Sequence, residues 1–297
     1  MAVGKPATMR IAIVGIKGML GRELEAAFGG NTVLGLDLPE FNLTDAVQVK
    51  EQLSVFGPDV VMNAAAYTNV DACETDRELC YSLNVGAVKS LISICESRNI
   101  QLIHLSTDFI FDGESGPYSE DDIPNPLSYY GSTKLEAEEL LKSSSCRWVI
   151  LRTIIVYGIV SDMSRSNIVL WAKSALEKGD PINVVFDQWR MPTLAEDLAE
   201  CCILAALKNA KGIFNASGKD LMSIIELVER VADFWKLDKT LIKPISSDSL
   251  NQTARRPKRT GFILDKAIRE LNYNPRSFEE GLALVDLQLK ERERIGK

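Results

Sequence analysis

Tyr130 and Lys134 stand four residues apart at the head of a helical segment. That spacing places the phenol and the ammonium on one face of a helix. Because a nearby ammonium stabilises a phenolate, the pair predicts a pKa of Tyr130 lowered toward the working range of a general acid. Taken alone the spacing is more often that of an exposed helical pair, so the prediction depends on what lies beside it.

Ser106 and Thr107 follow the apolar run Gln101–Leu105, which predicts a strand. In an open α/β sheet, ligands bind at the carboxyl ends of the strands. A hydroxyl at this edge could orient a substrate carbonyl next to Tyr130, and the predicted chemistry is proton transfer to a carbonyl oxygen. His104 lies inside the strand, and we interpret it as a buried, hydrogen-bonded core residue.

Three glycines, Gly15, Gly18 and Gly21, follow the first predicted strand and open a helix. They allow a tight turn and close approach to a pyrophosphate, while the helix N-terminus supplies free N–H groups. The spacing is not G-x-G-x-x-G, so an ordinary strand-to-helix turn is the alternative. Asp37 ends the second strand, where a carboxylate can bind the adenine-ribose hydroxyls and favours NADH. Lys17 nearby could attract a 2′-phosphate, which leaves NADPH open.

Short apolar runs alternate with longer amphipathic segments in the first half of the chain. The predicted strands are Arg10–Val14, Thr32–Leu36, Val60–Asn63, Gln101–Leu105 and Trp148–Leu151. The predicted helices are Met19–Phe28, Ala46–Phe56, Asp76–Arg98 and Ser132–Lys142. Strands that are apolar at consecutive positions are covered on both faces, which favours a parallel sheet between helices. The predicted fold class is therefore α/β, with a Rossmann-like doubly wound parallel sheet.

The pattern loosens after Gly158, which predicts a smaller C-terminal lobe. Its predicted elements are a helix at Ile168–Lys178, a strand at Ile182–Phe186 and helices at Ala195–Leu207 and Ser223–Trp235. We expect a dinucleotide-binding domain over residues 9–158 and a substrate-binding lobe over 159–297, with some elements returning to the first domain. Residues 1–8 are expected to be a loose extension.

The composition narrows the class of protein. The chain has 297 residues, of which 46% are hydrophobic and 25% charged, as in a folded globular protein. A net charge of −7 disfavours nucleic-acid binding. No apolar run reaches the ~18–20 residues of a membrane helix, and the start resembles no signal peptide, so we expect a cytoplasmic protein without a membrane partner. The six cysteines are scattered and there is one histidine, which predicts reduced, buried thiols and no metal site.

Several motifs occur together and in order. They are Gly15-x-x-Gly18-x-Leu20-Gly21, Asn63-Ala-Ala-Ala-Tyr67-Thr68, Ser106-Thr107-Asp108, Phe111-Asp112-Gly113, Tyr130-Gly-x-x-Lys134, Asp187-Gln188 with Pro192-Thr193, and Arg256-Pro257. The set resembles the extended short-chain dehydrogenase/reductases, and within them the dTDP-4-dehydrorhamnose reductases. The likeness runs from about Arg10 to about Asn274, almost the whole chain.

The resemblance implies an enzyme that uses NADH or NADPH to reduce the 4-keto group of a nucleotide-linked deoxysugar, dTDP-4-dehydro-L-rhamnose, to dTDP-L-rhamnose. By position, Tyr130 would protonate the nascent alkoxide, Thr107 would hydrogen-bond the carbonyl, and Lys134 would bind the nicotinamide ribose and tune Tyr130. The residues implied to line the cofactor, besides Tyr130 and Lys134, are Gly15, Gly18, Met19, Leu20, Gly21, Asp37, Asn42, Leu43, Ala64, Ala65 and Ala66.

The resemblance also implies a sugar pocket, and here the chain departs from the family. Thr68, Asn167 and Arg256 would face the nucleotide sugar, the arginine toward its diphosphate. The other residues expected to line the pocket are Asp108, Phe109, Ile155 and Arg190. Phe109 replaces a usual tyrosine, Ile155 a usual tryptophan, and Trp189-Arg190-Met191 a Phe-Gly-Ser stretch; Asn42 stands for an aspartate near the adenine. Such polar changes shift substrate discrimination by large factors, so the reaction type is predicted more firmly than the sugar.

Two alternatives remain at this point. One keeps the fold and the trio but changes the substrate, giving another nucleotide-sugar reductase or an epimerase. The other is a non-catalytic regulatory subunit similar to the β-subunit associated with methionine adenosyltransferase. The intact trio of Thr107, Tyr130 and Lys134 favours an enzyme, because a binding module has no need of these groups at one sheet edge. Helices flanking such sheets often pair, so a homodimer is open.

Overall fold

The centre of the molecule is a parallel sheet. The computed structural model describes residues 9–28, 32–160 and 167–295; residues 1–8, for which a loose extension was expected, lie outside these ranges. The strands are β1 Arg10–Val14, β2 Thr32–Leu36, β3 Val60–Asn63, β4 Gln101–Thr107, β5 Arg147–Thr153, β6 Val156–Tyr157, β7 Ile182–Val185, β8 Trp189–Arg190, β9 Thr193–Leu194, β10 Gly212–Asn215, β11 Met222–Ser223 and β12 Ile242–Ile245. Six of them form one sheet in the order β2-β1-β3-β4-β5-β10, and every neighbouring pair is parallel.

The predicted strands agree closely with the structure. The bounds of β1, β2 and β3 are those expected, and β3 is buried at every position, as a strand covered on both faces must be. β4 and β5 are longer than predicted because their pairing continues to Thr107 opposite Thr153. Ser106 and Thr107 are therefore the last residues of β4. The predicted doubly wound α/β fold is confirmed.

Helices flank the sheet. They are α1 Met19–Ala27, α2 Ala46–Phe56, α3 Val70–Thr75, α4 Arg77–Tyr81, α5 Ala87–Arg98, α6 Tyr129–Ser143, α7 Ile168–Glu177, α8 Ala195–Leu207, α9 Ile224–Trp235 and α10 Phe278–Ile295. The side chains of Asp45, Ser128 and Ser223 cap α2, α6 and α9 by accepting backbone N–H groups that the helices leave free. The local sequence thus fixes where several of these helices begin.

The single helix expected over Asp76–Arg98 is wrong in one respect. It is divided into α4 and α5 by a π-helical turn at Ser82–Gly86. Asn84 lies in that turn and is buried, where its side chain accepts from Tyr67 N at 2.9 Å and donates to Tyr67 O at 3.2 Å. These two hydrogen bonds tie the π-turn to the loop that follows β3. π-turns often mark functional sites.

The order of the strands fixes where a ligand can enter. The chain passes from β1 to β2 on one side and then returns to β3 on the other. Such a reversal opens a crevice outside the carboxyl ends of β1 and β3. Gly15 and Ala64 are the residues that follow those two strands, and Ala64 N donates to Val14 O at 3.0 Å. The fold therefore brings the glycine turn and the Ala64–Ala66 segment to one crevice.

The later part of the chain contributes both to this sheet and to a second apolar cluster. Strand β10 pairs with β5, and α8 packs into the cluster that contains Leu24 of α1. The parallel pair β7–β12 gathers with α7, α9 and Phe278 of α10 in the second cluster. Short pairs β8–β11 and β6–β9 join the two parts. The domain boundary at residue 158 stays a prediction.

Three further findings bear on the expectations from composition. All six cysteines are free and buried, which confirms the prediction of reduced thiols. Within residues 9–28, 32–160 and 167–295, no helix is long and apolar enough to span a bilayer. In the same ranges, no cluster of three or more His, Cys, Asp or Glu side chains has a geometry that could hold a metal ion.

Candidate active site

The turn after β1 requires its glycines. Gly15 has a φ of +87°, and a Cβ there would stand 2.9 Å from Ala65 N. A Cβ at Gly21 would overlap Gly15 O. Gly18 begins α1 and provides no side-chain cap, so the amide groups of the first turn are left to a ligand. This cradle fits a dinucleotide pyrophosphate, and the half-buried side chains of Met19 and Leu20 lie beside it.

Asp37 is locked at the end of β2 beside this turn. Its Oδ2 accepts from Lys17 N at 2.9 Å and its Oδ1 accepts from Leu38 N at 2.8 Å. Lys17 Nζ, which the sequence left open as a partner for a 2′-phosphate, is paired with Glu40 at 2.7 Å. The predicted proximity of Asp37 to the glycine turn is therefore present, and the lysine is already engaged.

Asn42 and Leu43 were both expected near the adenine, but Asn42 is exposed whereas Leu43 is buried. Asn42 is exposed, and its Oδ1 accepts from Thr44 N at 3.0 Å. Leu43 is 6% exposed and packs in the core with Phe41 and Val49. The Leu43 side chain is therefore part of the core, and contact with a cofactor there falls to its backbone.

Ser106 and Thr107 end β4 at the same edge of the sheet. Thr107 Oγ1 accepts from Phe109 N at 3.2 Å and so caps a short 3-10 turn, Asp108–Ile110. Ser106 Oγ is buried and has no hydrogen-bond partner in the described part of the chain. An orphaned hydroxyl is costly, and one beside the crevice fits a site completed by a bound molecule.

Tyr130 lies in the first turn of α6, where Ser128 caps the helix. Its ring packs edge-on against Phe109 at 5.9 Å between centroids. Burial raises the pKa of Tyr130, while the hydrogen bond with the Thr107 hydroxyl lowers it by less. Structure and sequence agree that Thr107 and Tyr130 meet, and Phe109 joins them.

The expected effect of Lys134 on Tyr130 is wrong. In the part of the chain that the structure describes, the hydrogen bonds of Lys134 Nζ go to Leu105 O at 2.6 Å and His104 Nε2 at 3.1 Å, not to Tyr130. The ammonium is directed at β4, so burial controls the pKa of Tyr130 and raises it. Burial also lowers the pKa of Lys134 to about 8.

Asp108 and Arg190, both expected to line the sugar pocket, are instead a buried pair. Asp108 is 1% exposed and Arg190 is 2% exposed, with Nε 3.5 Å from Asp108 Oδ2. Arg190 also donates to the carbonyls of Pro257 at 2.6 Å and Lys258 at 3.3 Å, and Thr260 Oγ1 donates to Asp108. Because these groups satisfy one another away from water, the prediction that they contact substrate is corrected.

Asn167 and Ile155 also serve the fold. Asn167 Oδ1 caps α7 by accepting from Val169 N and Leu170 N, both at 3.2 Å, and its Nδ2 donates to Gly158 O at 2.8 Å. Its amide is thus used locally, which corrects the expectation that it faces the sugar. Ile155 packs against both apolar clusters at a φ of +30°, a conformation that β-branched residues rarely adopt.

Arg256 is held by an aspartate that the sequence did not single out. Its guanidinium pairs with Asp71 of α3 at 2.6 and 3.1 Å. The expected contact with a diphosphate therefore requires Arg256 to leave Asp71. Thr68, the third residue expected at the sugar, is exposed in the loop between β3 and α3.

A polar cleft adjoins Arg256. Its lining includes Asp112, Gln188, Ser247, Gln252, Arg255, Arg256 and Lys258. The motif Phe111-Asp112-Gly113 and the pair Asp187-Gln188 pointed to two of these residues, whereas Arg255 and Lys258 were missed. Their only signal was the basic run from Arg255 to Arg259. The cations match a phosphate-bearing ligand.

Comparison with known proteins gives a consistent picture. A family model described as the RmlD substrate binding domain matches residues 9–290. The chain is 32% identical over 288 residues to the dTDP-4-dehydrorhamnose reductase of Aggregatibacter actinomycetemcomitans, covering 92% of this chain and 97% of that one. It is 33% identical over 260 residues to methionine adenosyltransferase 2 subunit beta of Xenopus tropicalis, covering 83% and 78%.

Solved structures are similar over the same length. A dTDP-4-dehydrorhamnose reductase from Clostridium acetobutylicum is 29% identical with a TM-score of 0.88, covering 95% of this chain and 100% of that one. Another from Bacillus anthracis, in complex with NADP, has the same TM-score and coverage at 24% identity. At that identity the second likeness shows the fold.

Proposed function

The chain belongs to the RmlD substrate-binding domain family, and on that premise we propose that it is a nucleotide-sugar reductase that uses NADH or NADPH. We propose that the substrate is dTDP-4-dehydro-L-rhamnose and the product dTDP-L-rhamnose. The observation that carries this proposal is the placement of Thr107 at the carboxyl end of β4 next to Phe109, against whose ring Tyr130 packs at 5.9 Å.

The residues of the crevice fit a nicotinamide dinucleotide. The Gly15–Gly21 turn would hold its pyrophosphate, Asp37 its adenine ribose, and Ala64–Ala66 would line it through their backbone. When bound, such a group supplies the hydride that reduces a carbonyl carbon. The pairing of Lys17 with Glu40 removes a free cation from the ribose end, which supports NADH without excluding NADPH.

The chain's own residues supply the proton. Reduction leaves negative charge on the carbonyl oxygen, and an acid must protonate it. A phenol keeps its proton at neutral pH, so Tyr130 can donate it to the alkoxide. Burial raises the pKa of Tyr130, so the basicity of the alkoxide drives the transfer. Thr107 would hydrogen-bond the same oxygen, and the neighbouring Phe109 ring packs edge-on against the phenol and helps to fix its orientation. This direction of proton transfer suits a reductase.

The test is a panel of 4-keto nucleotide sugars, assayed with NADH and with NADPH by loss of reduced-cofactor absorbance. We expect the fastest turnover with the dTDP-linked 6-deoxy sugar. Turnover of a different keto sugar would change the substrate and keep the reaction. Absence of turnover with all of them would contradict the reductase proposal.

The second candidate is a regulatory subunit, and the observation that favours it is the 33% identity to methionine adenosyltransferase 2 subunit beta. That function predicts binding of NADH or NADPH, seen as cofactor fluorescence, without oxidation by any sugar. It also predicts co-elution with a methionine adenosyltransferase catalytic subunit in size-exclusion chromatography. Turnover without co-elution would leave the reductase as the function.

A further inference from the structure

His104 is buried between two polar side chains. Its Nδ1 is 3.1 Å from Asn63 Nδ2 and its Nε2 is 3.1 Å from Lys134 Nζ. Asn63 ends β3 directly before Ala64, whereas Lys134 lies on α6. The imidazole therefore connects the segment that lines the crevice to the helix that carries Tyr130. The proton-transfer scheme above gives His104 no role.

The orientation of the Asn63 amide decides which nitrogen of His104 carries the proton. Asn63 Oδ1 accepts from Ala65 N at 3.3 Å, so Nδ2 faces the imidazole. An amide nitrogen only donates, and Nδ1 must therefore present its lone pair. Burial keeps the pKa of His104 well below its usual value, so the ring is neutral. Its single proton is then on Nε2, facing Lys134.

This tautomer distinguishes the two states of Lys134. An ammonium has donors only, and against Nε2–H it places a donor against a donor. The uncharged amine has a lone pair that accepts Nε2–H while its own N–H still donates to Leu105 O, 2.6 Å away. The Asn63–His104–Lys134 network is fully paired only when Lys134 is uncharged.

We propose that Asn63 and His104 are positioning residues that favour the uncharged amine of Lys134, so that Lys134 readily replaces the proton that Tyr130 gives to substrate. Tyr130 breaks its O–H bond to protonate the substrate oxygen. The Lys134 ammonium then breaks one N–H bond and becomes the uncharged amine, and that proton passes through a bridging hydroxyl or water to the Tyr130 phenolate. Lys134 is left accepting Nε2–H and regains its proton from solvent. Only the transfer to Tyr130 rests on the proposed reductase function.

The other charged and titratable groups around Lys134 were weighed. Glu138, one turn further along α6, favours the ammonium, but both of its oxygens accept from Arg152 of β5, at 3.0 and 2.7 Å. Cys80 of α4 also favours the ammonium. Burial acts in the opposite direction and exceeds both, so the hydrogen bond from His104 adds to an existing preference.

Because the sequence contains one histidine, nitrogen NMR of the full chain labelled with 15N-histidine reports on His104 without assignment. The titration runs from about pH 6 to about pH 10, bracketing the lowered pKa of Lys134, about 8, without cofactor or substrate. We expect an unprotonated Nδ1 and a protonated Nε2 throughout, with the Nε2 signal following the titration of Lys134. A proton on Nδ1, or a charged ring, would overturn the proposal whatever the enzyme reduces.

Asn63→Asp tests the proposal by reversing the tautomer of His104. The carboxylate still accepts from Ala65 N–H but now also accepts from His104, which moves the ring proton to Nδ1 and turns Nε2 toward Lys134 as an acceptor. We expect the pKa of Lys134, read from the Nε2 signal, to rise by about one pH unit or more. The alkaline limb of the pH profile, where kcat declines at high pH, should move to higher pH with it. An unchanged limb together with a changed tautomer would refute the link to Lys134.

His104→Phe and Gln101→Leu form a matched pair on β4. The first removes the donor to Lys134, and we expect the alkaline limb to move to higher pH. The second removes a buried polar side chain whose Nε2 donates to Ala210 O at the far end of the strand, and we expect no movement of the limb. Equal effects from both variants would reduce His104 to a structural residue.

Discussion

The two halves of the crevice are built in different ways. The cofactor half consists of the glycine turn, the Ala64–Ala66 segment and Asp37. Its shape comes from glycine backbone that has no room for a Cβ and from the Asp37 carboxylate, which accepts from neighbouring backbone N–H groups. Four of the seven residues expected in the sugar half are Asp108, Arg190, Asn167 and Arg256. Each of these side chains is instead engaged within the chain.

This difference explains what can be inferred from residue types. The glycine turn depends on residues a few positions apart, so its geometry follows from local sequence. A side-chain site depends on partners remote in sequence, such as Asp71 and Arg256, which are separated by 185 positions. A family motif preserves the residue type in such a site but does not reveal its partner.

Tyr130→Phe is expected to have the largest effect and tests whether the chemistry lies where the halves meet. The variant removes the proton donor, and general acid catalysis contributes about 10²–10⁴-fold, so we expect kcat to fall by about 10³-fold. The binding of NADH, followed by fluorescence, should be unchanged within about twofold, because the cradle is backbone. Wild-type kcat in the variant would remove Tyr130 from the mechanism.

The sequence predicted the fold more completely than the site. Strands β1, β2 and β3 were bounded correctly because their apolar runs end at turn residues. The π-turn at Asn84 was not foreseen, since the hydrogen bonds that break the helix go to Tyr67, remote in sequence. The burial of His104 was foreseen, whereas its contact with Lys134 depends on the packing of α6 on β4.

Arg190→Met is expected to have the next largest effect and would sharpen the contrast between the halves. It leaves the Asp108 carboxylate buried without its cation, which typically lowers the free energy of unfolding by about 3–5 kcal/mol. We expect urea unfolding to show a loss of about this size, and the double variant with Asp108→Asn to recover part of it. If Arg190→Met instead raised the KM for the sugar at unchanged stability, the expected sugar contact would be restored.

Asp71→Asn and Arg256→Gln form a pair with a smaller expected effect. The ion pair is partly exposed, with side chains 38% and 18% accessible, so each variant should lower the free energy of unfolding by about 1 kcal/mol or less. Their effects on the KM for the nucleotide sugar should have opposite signs. Asp71→Asn releases the guanidinium and should lower KM, whereas Arg256→Gln should raise it. If both leave KM unchanged, Arg256 belongs to the fold alone.

Glu23→Gln is expected to have the smallest effect, and it asks whether the cofactor half is free of remote side-chain coupling. Glu23 lies on α1, and burial together with Glu196 of α8 raises its pKa from 4.5 to about 7, while Arg292 of α10 opposes the shift. Between those values the folded chain keeps a proton that the unfolded chain releases, so the free energy of unfolding falls as pH rises.

The decrease is limited to about 1 kcal/mol, because water screens a half-exposed carboxyl. Glu23→Gln should remove that part of the pH dependence in urea unfolding between about pH 4.5 and 7. The exposed Glu25 on the same helix offers the matched variant Glu25→Gln, which should leave the slope as it is. A slope that survives Glu23→Gln would mean that another group carries the pH dependence. The cofactor half would then lack the coupling of Glu23 to Glu196 and Arg292, and its contrast with the sugar half would be sharper.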